Sequence, residues 1–504
     1  MSHHTAAASP VFHINTLRLN EALAPILPIA SRNTQAPLNH VSISNLNGKH
    51  FTISGTNYDV YVTTTIPVSW TDDCNPATYG SLTVDTAVLN NILKHANEDD
   101  HITLSLSTTE KPIVSKTKVK LTTEKSTDID STPAEIAAQS ADDQSADTTD
   151  QIAADIGTTT QVPCVLLKAG ASTYTLHTLP TAAIIAPATV GEMDTDVLSI
   201  TFVAESFFRH IKSIAFAQSS DPMRKILNGV CFEFEPLNLK ATMVACDGTR
   251  LARTHTDLSC CTYRDATGTT IQWNVNDKPS FVVESATINF LLKAITEHTT
   301  HIHFRYHPDS TRLTIVLVTK DSTTCITCPA PAEGYPAWRQ VEPDLQNEHS
   351  YFRFTQSGLI EAIKAASVVA TDKSRAIDIE FCRNKYHATF QCYSDQHGLC
   401  SSTAGYSSYW HPTTRDMDTI TIRFDYGKLM EIIKQCQSPK TKDDDDTQDT
   451  ITIWIKEPTL AASIEWNAIL NWKTIIMPMI QRKAEPEPTD TAATEVQANH
   501  SEAA

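Results

Sequence analysis

Residues 200–221 read ITFVAESFFRHIKSIAFAQSSD. The stretch opens as a short alternating strand. It then turns directly into a helix, because Phe207, Phe208, Ile211, Ile214 and Ala215 recur at helical spacing. Two further stretches share this layout: FHINTLRLNEALAPILPIASRN at 12–33 and YFRFTQSGLIEAIKAASVVATD at 351–372. Leu19, Leu23, Ile26 and Leu27 take the apolar places in the first, and Leu359, Ile360 and Ile363 in the third. Pro25 has no N–H to donate, so it kinks or ends the first helix. Self-similarity of this kind marks a repeat architecture.

The sequence around these stretches repeats as well. Each helix is followed by period-2 strands: HVSISNLNGKHFTISGTNYDVYVTTTI from 40, NGVCFEFEPLNLKATMVACDGTRLARTHT from 228, and AIDIEFCRNKYHATFQCYS from 376. The turns NLNGK, EPLN and CRNK fall where hairpins need them. A second set completes each third of the chain. SLTVDTAVLNNILKHANEDDHITLSLS starts at 81, SFVVESATINFLLKAITEHTTHIHFRY at 280, and TITIRFDYGKLMEIIKQCQ at 419, with DTITIWIKEP after it. The reading is an α+β chain of three similar domains, each made of two strand–helix–strands units. Their expected limits are 11–187, 196–343 and 349–483. Such units place their helices on one face of the sheet. In a curved array they give an outer sheet and an inner row of helices.

Charge is sorted along the chain. The total is −18, from 58 acids and 40 bases. Residues 126–160 hold eight acids and no Lys or Arg, and residues 484–504 hold five acids and no Lys or Arg. Both are poor in aromatics and read as disordered. The first belongs to an insertion of about 115–161 at a hairpin tip, and the second is a tail. Without those thirteen acids the remainder is close to −5. Asp443 to Asp446 read as one more solvated tip. The bases gather on or beside the helices: Arg209 and Lys212, Arg224 and Lys225, Lys364, Lys373 and Arg375, Arg32, and Lys94, Lys293, Lys428 and Lys434. Read functionally, they form a basic wall that faces phosphates. The plainer reading is a solvated helix face.

Other classes find little support. No apolar run has the length of a membrane span, and MSHHTAAASPVF lacks the pattern of a secretory signal, so a cytoplasmic location is expected. The 12 cysteines are then expected as free thiols. Cys325 and Cys328 form a CxxC, but on a strand, where positions i and i+3 face opposite sides. Catalytic motifs are absent, and neither a metal nor a cofactor is expected. His301, His303 and Asp247 would be the residues of a metal hydrolase, yet no spacing makes them converge. A second alternative is an extracellular Thr-rich β-repeat binding protein, opposed by the missing signal and the free thiols.

Five segments then carry a resemblance. They are TYTLHTLP from 173, LNGVCFEF from 227, ATMVACDGTRLA from 241, EGYPAWRQVEP from 333 and IIMPM from 475. In this order they resemble the bacterial DNA polymerase III β subunits, the DNA sliding clamps. The resemblance spans about 11–483 apart from the insertion. It implies a clamp fold and a head-to-tail homodimer closed around double-stranded DNA, non-catalytic and acting as a processivity factor. The implied partners are the DNA polymerase III catalytic subunit, the clamp loader and other proteins with a clamp-binding motif. Such partners would insert a short apolar motif into a groove. By position the groove takes Leu227, Cys246, Gly248, Thr249, Arg250, Leu251, Pro336, Val341, Lys428, Ile475, Ile476, Met477, Pro478 and Met479. Arg250 is expected to fix a peptide carbonyl or carboxylate there. The subunit interface would set Tyr174 and Leu176 against Val368 and Val369 of the second copy. DNA contacts would come from Arg32, Arg209, Lys212, Arg224, Lys225, Lys373 and Arg375. The chain departs from the family at Cys246, Thr249 and Lys428, and in the acidic tail.

Overall fold

The computed structural model describes residues 11–30, 35–45, 50–67, 81–97, 101–112, 159–179, 191, 194–309, 311–330, 334–345, 348–382, 385–412, 419–437 and 449–479. Arg32, the acidic stretch within 113–158, the Asp443 to Asp446 run and the tail from 480 lie outside the described residues.

The helices are α1 (Thr16–Leu23), α2 (Leu27–Ala30), α3 (Thr86–His95), α4 (Ala204–Ile214), α5 (Ser285–Ala294), α6 (Gln356–Ala366) and α7 (Tyr426–Gln435). Strand passes into helix without a loop because the last residue of the strand often caps the helix. The Asn15 side chain accepts from the amides of Leu17 and Arg18, and that of Asp85 from Ala87 and Val88. Thr355 accepts from Gly358, and Asp425 from Lys428. A cap of this kind is worth about 1 kcal/mol. Pro25 follows α1 inside a turn, and α2 begins beyond it. On α4 the buried stripe is Phe207, Ile211 and Ile214, joined by His210. Phe208, read from the sequence as part of the stripe, is only half-buried and lies under the Lys212 ammonium.

Each third of the chain forms eight principal strands in two four-stranded antiparallel sheets. In chain order, the first strand of a third pairs with the sixth, the sixth with the seventh, and the seventh with the eighth. The fifth pairs with the second, the second with the third, and the third with the fourth. In the first third the sixth and seventh strands, His101–Pro112 and Thr159–Ala169, stay in register from Ile102↔Ala169 to Pro112↔Thr159. The ladder takes up Thr159 to Gln161 from the residues read as insertion.

The thirds are joined at sheet edges. The fourth strand of the first, Tyr61–Pro67, pairs with the eighth of the second, Thr323–Pro329, from Thr65↔Thr323 to Tyr61↔Thr327. The fourth strand of the second, Arg250–Asp257, pairs with the eighth of the third, Lys473–Ile476. Sheets of ten and nine strands result. The remaining members of these two positions, Ser172–His177 and Gly398–Gly405, each end a four-stranded sheet.

Aromatic rings fill the middle core. Phe202, Phe207, Phe232, Phe234, Phe281 and Phe304 pack with centroids 5.1–6.5 Å apart. Such offset and edge contacts add to the burial of apolar area. Trp472, fully buried, donates from its indole N–H to the Ser213 carbonyl at 3.1 Å and so fastens the last third to α4. His210 is buried on the inner face of α4, its Nδ1 2.6 Å from Thr254 Oγ1. Burial, helped by the charge of Arg209, lowers its pKa from 6.5 to about 4. The folded chain thus keeps His210 neutral where the unfolded chain protonates it. This contribution is whole above the unfolded pKa and fades as pH falls toward the folded one. At pH 5 the loss is about 2 kcal/mol. Denaturant unfolding at pH 7.5 and pH 5 should show a smaller acid-induced loss in His210→Gln than in the wild type, and equal losses would refute the assignment.

Candidate partner groove and nucleic-acid interface

The turn Asp247–Arg250 links two paired strands and stands where the second third meets α7. The Asp247 carboxylate accepts from the Thr249 amide at 2.8 Å, the Thr249 hydroxyl at 2.7 Å and the Arg250 amide at 2.9 Å. Burial works to raise its pKa, but these hydrogen bonds and the charge of Lys428 outweigh it and hold the carboxyl below its ordinary range. Gly248 sits at φ +88, and a Cβ there would collide with Arg224 Nη1. This turn therefore requires glycine. Cys246 lies just before it, half-buried, its sulfur accepting the Gly248 amide at 3.3 Å. Burial pushes this thiol up.

Arg250, expected from the resemblance to hold a peptide group, is engaged within the chain itself. Its side chain is only 8% exposed. Nε donates to Asp247 Oδ2 at 3.1 Å, Nη2 to the Phe216 carbonyl at 2.9 Å and Nη1 to the Lys428 carbonyl at 3.4 Å. Nη1 also pairs with Glu431 at 2.6 Å, and the guanidinium lies over the Phe216 ring. The residue binds the turn, the end of α4 and α7 to one another. Lys428 supports the same junction from α7, reaching Asp247 Oδ2 at 3.4 Å and the Thr249 hydroxyl.

The other groove candidates divide by face. Leu251 and Ile475 are opposed in register and fully buried. They join Cys231, Val244, Val282 and Trp338 in a small cluster separate from the main core. Trp338, in the segment between the second and third parts of the chain, donates to Glu233 at 2.9 Å, and Arg339 stacks on its ring. Val341 follows Trp338 and is half-exposed, and Pro336 is exposed. Ile476 points the other way, into the main core. Met477, Met479, Gly248 and Thr249 are exposed, while Leu227, Lys428 and Pro478 are half-buried. The Met477 amide donates to the Thr249 carbonyl at 2.9 Å and the Met479 amide to the Arg423 carbonyl at 2.8 Å. The exposed apolar candidates are thus Met477, Met479, Val341 and Pro336, with Met477 tied to the polar turn. Trp338 was not singled out in the sequence, where it stood only as part of the segment EGYPAWRQVEP.

The basic candidates lie mostly at the surface. Arg209, Lys212, Lys225 and Lys373 are exposed. Arg224 is exposed and pairs with Asp221 at 3.6 Å; Arg375 is exposed and pairs with Asp425 at 3.5 Å. Lys94, Lys212, Lys293, Lys364 and Lys434 occupy the last turns of α3, α4, α5, α6 and α7. These are matching places in successive repeats, but the strand leading into one helix of each third ends opposite the strand that leaves the other, so the two helices run in opposite senses and their lysines fall at alternate ends. A cleft of about 620 Å³ beside α4 is lined by Phe208, Arg209, Lys212, Gln435, Trp466 and Ile469.

At the two outer edges, Tyr174 and Leu176 are half-buried on Ser172–His177 and pack on the core. Val368 is exposed and Val369 half-buried in a turn beside Gly398–Gly405. A single copy of the chain does not bring these two pairs together.

His303 contacts Thr201 Oγ1 at 2.9 Å, and among the described residues no group of three or more His, Cys, Asp or Glu could hold a metal ion. Cys325 and Cys328 are free. Among the described residues no helix is long and apolar enough to cross a membrane.

No protein-family model and no curated protein matches the sequence. Solved structures do match. A DNA polymerase III subunit beta from Pseudomonas aeruginosa superposes with a TM-score of 0.66 at 16% identity, covering 94% of this chain and 100% of that one. This chain has the sliding-clamp fold. The DNA polymerase sliding clamp from Bacillus subtilis gives 0.67 at 14% identity, and a DNA polymerase III beta subunit from Thermotoga maritima gives 0.63 at 15%, each over 94% of this chain and 100% of its own. The clamp fold agrees with the three-part α+β reading, and these likenesses lend nothing to the extracellular alternative.

Arg250 carries the sharpest energetic consequence. Removing one member of a buried charged cluster costs about 3–5 kcal/mol, because its partners stay behind unpaired. Arg250→Ala should therefore destabilise the protein by about that much in urea, and Lys428→Ala by about 1 kcal/mol or less, since its ammonium is part-exposed. Equal, small effects would show that the cluster does not bind the junction.

Proposed function

We propose that this protein is a non-catalytic DNA sliding clamp, a processivity factor in which two copies close head to tail around double-stranded DNA. The observation that carries this reading is the series of strand edges. Fourth strand meets eighth strand twice within the chain, and one of each remains at the ends, Gly398–Gly405 and Ser172–His177. A second copy satisfies both edges by the same pairing, with Tyr174 and Leu176 against the partner's Val368 and Val369. An exposed strand edge invites such pairing, and a head-to-tail contact that closes makes a ring.

In this reading the domains run 11–187, 196–343 and 349–483, and the protein works in the cytoplasm without a cofactor. Lys212, Arg209, Arg224, Lys225, Lys373, Arg375 and Arg32 face the DNA phosphates. Met477, Met479 and Val341 receive the apolar motif of partners: the polymerase III catalytic subunit, the clamp loader and other motif-bearing proteins. Methionine suits such a role because its thioether adapts to varied anchors.

Retention on DNA would be topological. Protein assembled on a nicked circular plasmid should remain bound in high salt, which strips phosphate contacts, and a single cut of the circle should release it. Leu176→Asp should weaken self-association by about tenfold or more, because a carboxylate would be buried at the seam. Release by salt alone, or a wild type that sediments as one copy at micromolar concentration, would overturn the reading.

A further inference from the structure

Cys392 and Cys400 are opposed across the hairpin formed by His387–Ser394 and Gly398–Gly405. Directly opposed residues of an antiparallel pair project to the same face, with Cα atoms about 4.5 or 5.5 Å apart according to the hydrogen bonding of the pair. Both separations fall in the range of about 4.4–6.8 Å that a disulfide spans. The adjacent pair fixes the face. Tyr393 and Leu399 are opposed and exposed, so Cys392 and Cys400 point to the helix side. There Cys392 is buried in the main core, while Cys400 is half-buried with its thiol donating to the Ala365 carbonyl of α6 at 3.2 Å. Both are free thiols.

We propose that Cys392 and Cys400 are a reversible oxidation site that closes to a cross-strand disulfide, with a small hydroperoxide as oxidant. Cys400, the more accessible, reacts first. Its thiolate attacks one peroxide oxygen, the O–O bond breaks, and the departing hydroxide takes up a proton to leave as water. The Cys400 sulfenic acid is then attacked by the Cys392 sulfur, which gives up its proton. The S–O bond breaks, the S–S bond forms, and a second water leaves. Two thiols are oxidised and one peroxide is reduced to two waters. Burial, with the charge of Asp378 and the neighbouring Cys400, raises Cys392 to about 11, so this thiol is slow toward external reagents and serves as the resolving partner. Cys400 lies on Gly398–Gly405, the sheet-end strand assigned above to the proposed seam. Oxidation would therefore act at the proposed seam, although the chemistry itself does not rest on the clamp reading.

The full-length protein is treated with hydrogen peroxide, alkylated, digested without reductant and mapped by mass. The expected product is the Cys392 peptide joined to the Cys400 peptide, lighter by two hydrogen atoms than the two reduced peptides and restored by dithiothreitol. Cys392→Ser should leave Cys400 as a sulfenic acid that dimedone traps. Cys400→Ser should leave Cys392 a thiol. Should either variant fail to fold, the wild-type map alone decides. Cys400 accumulating as sulfinic acid beside a reduced Cys392, either sulfur joined to a different cysteine, or no change at either residue would overturn the proposal.

Discussion

Backbone hydrogen bonding between strand edges is the constraint on which the rest of this structure depends. Five opposed residue pairs connect the first third of the chain to the second, from Thr65↔Thr323 to Tyr61↔Thr327. Four connect the second to the third, from Arg250↔Ile476 to Arg253↔Lys473. A single such hydrogen bond contributes only about 0.5–1.5 kcal/mol net, but leaving a buried backbone group unpaired costs more. The joints therefore exclude alternatives as much as they add stability. Side chains reinforce each one differently. Thr64 meets Thr324 at 3.1 Å at the first. At the second, Glu342 stands between Arg253 and Lys473, which lie on the two paired strands.

The second joint also carries the most buried charge. Arg250, Asp247, Lys428 and Glu431 hold a turn, a helix end and a neighbouring helix in one arrangement. Taking such charges out of water is expensive, and an apolar cluster of the same shape could be as stable. What the ion cluster adds is direction. A guanidinium with a fixed fork accepts few geometries, so α7 can dock on the Asp247 turn in one register. The apolar plate on the other face, with Trp338 over Leu251 and Ile475, tolerates small shifts. Together they fix the angle between the parts and leave the methionines beside them free to adapt.

The repeat was legible because its signals are local. Alternation and helical spacing sit within twenty residues, and the capping residues Asn15, Asp85, Thr355 and Asp425 lie where strand becomes helix. The sheet joints were not legible, because Thr65 and Thr323 are distant in sequence and nothing at either position names its partner. Phe208 shows the limit of periodicity. It satisfies the helical pattern as well as Phe207 does, but the lysine one turn later makes a half-exposed place acceptable. Arg250 shows the limit of residue type. A cation beside a presumed groove invites a ligand reading, while the second carboxylate that claims it, Glu431, comes from a helix 181 residues away in sequence.

The charge pattern follows from the repeat as well. A lysine in the last turn of a helix offsets the negative end of the helix dipole, at about 0.3–1 kcal/mol each. In an isolated helix this is a matter of stability and nothing more. In a chain built of repeats the same helix end recurs, so a local preference becomes a recurring cation on five of the helices. The acids that make the total −18 are concentrated elsewhere, in the stretch within 126–160 and in the tail. Each phosphate neutralised by a protein makes binding more sensitive to salt, and a chain this acidic gains little from adding more such contacts. In the proposed clamp a moderate number of lysines would be enough to orient a duplex, because closure rather than attraction would keep it in place. The proposed closure would in turn depend on Ser172–His177 and Gly398–Gly405, two sheet-end strands that a single copy pairs on one side only.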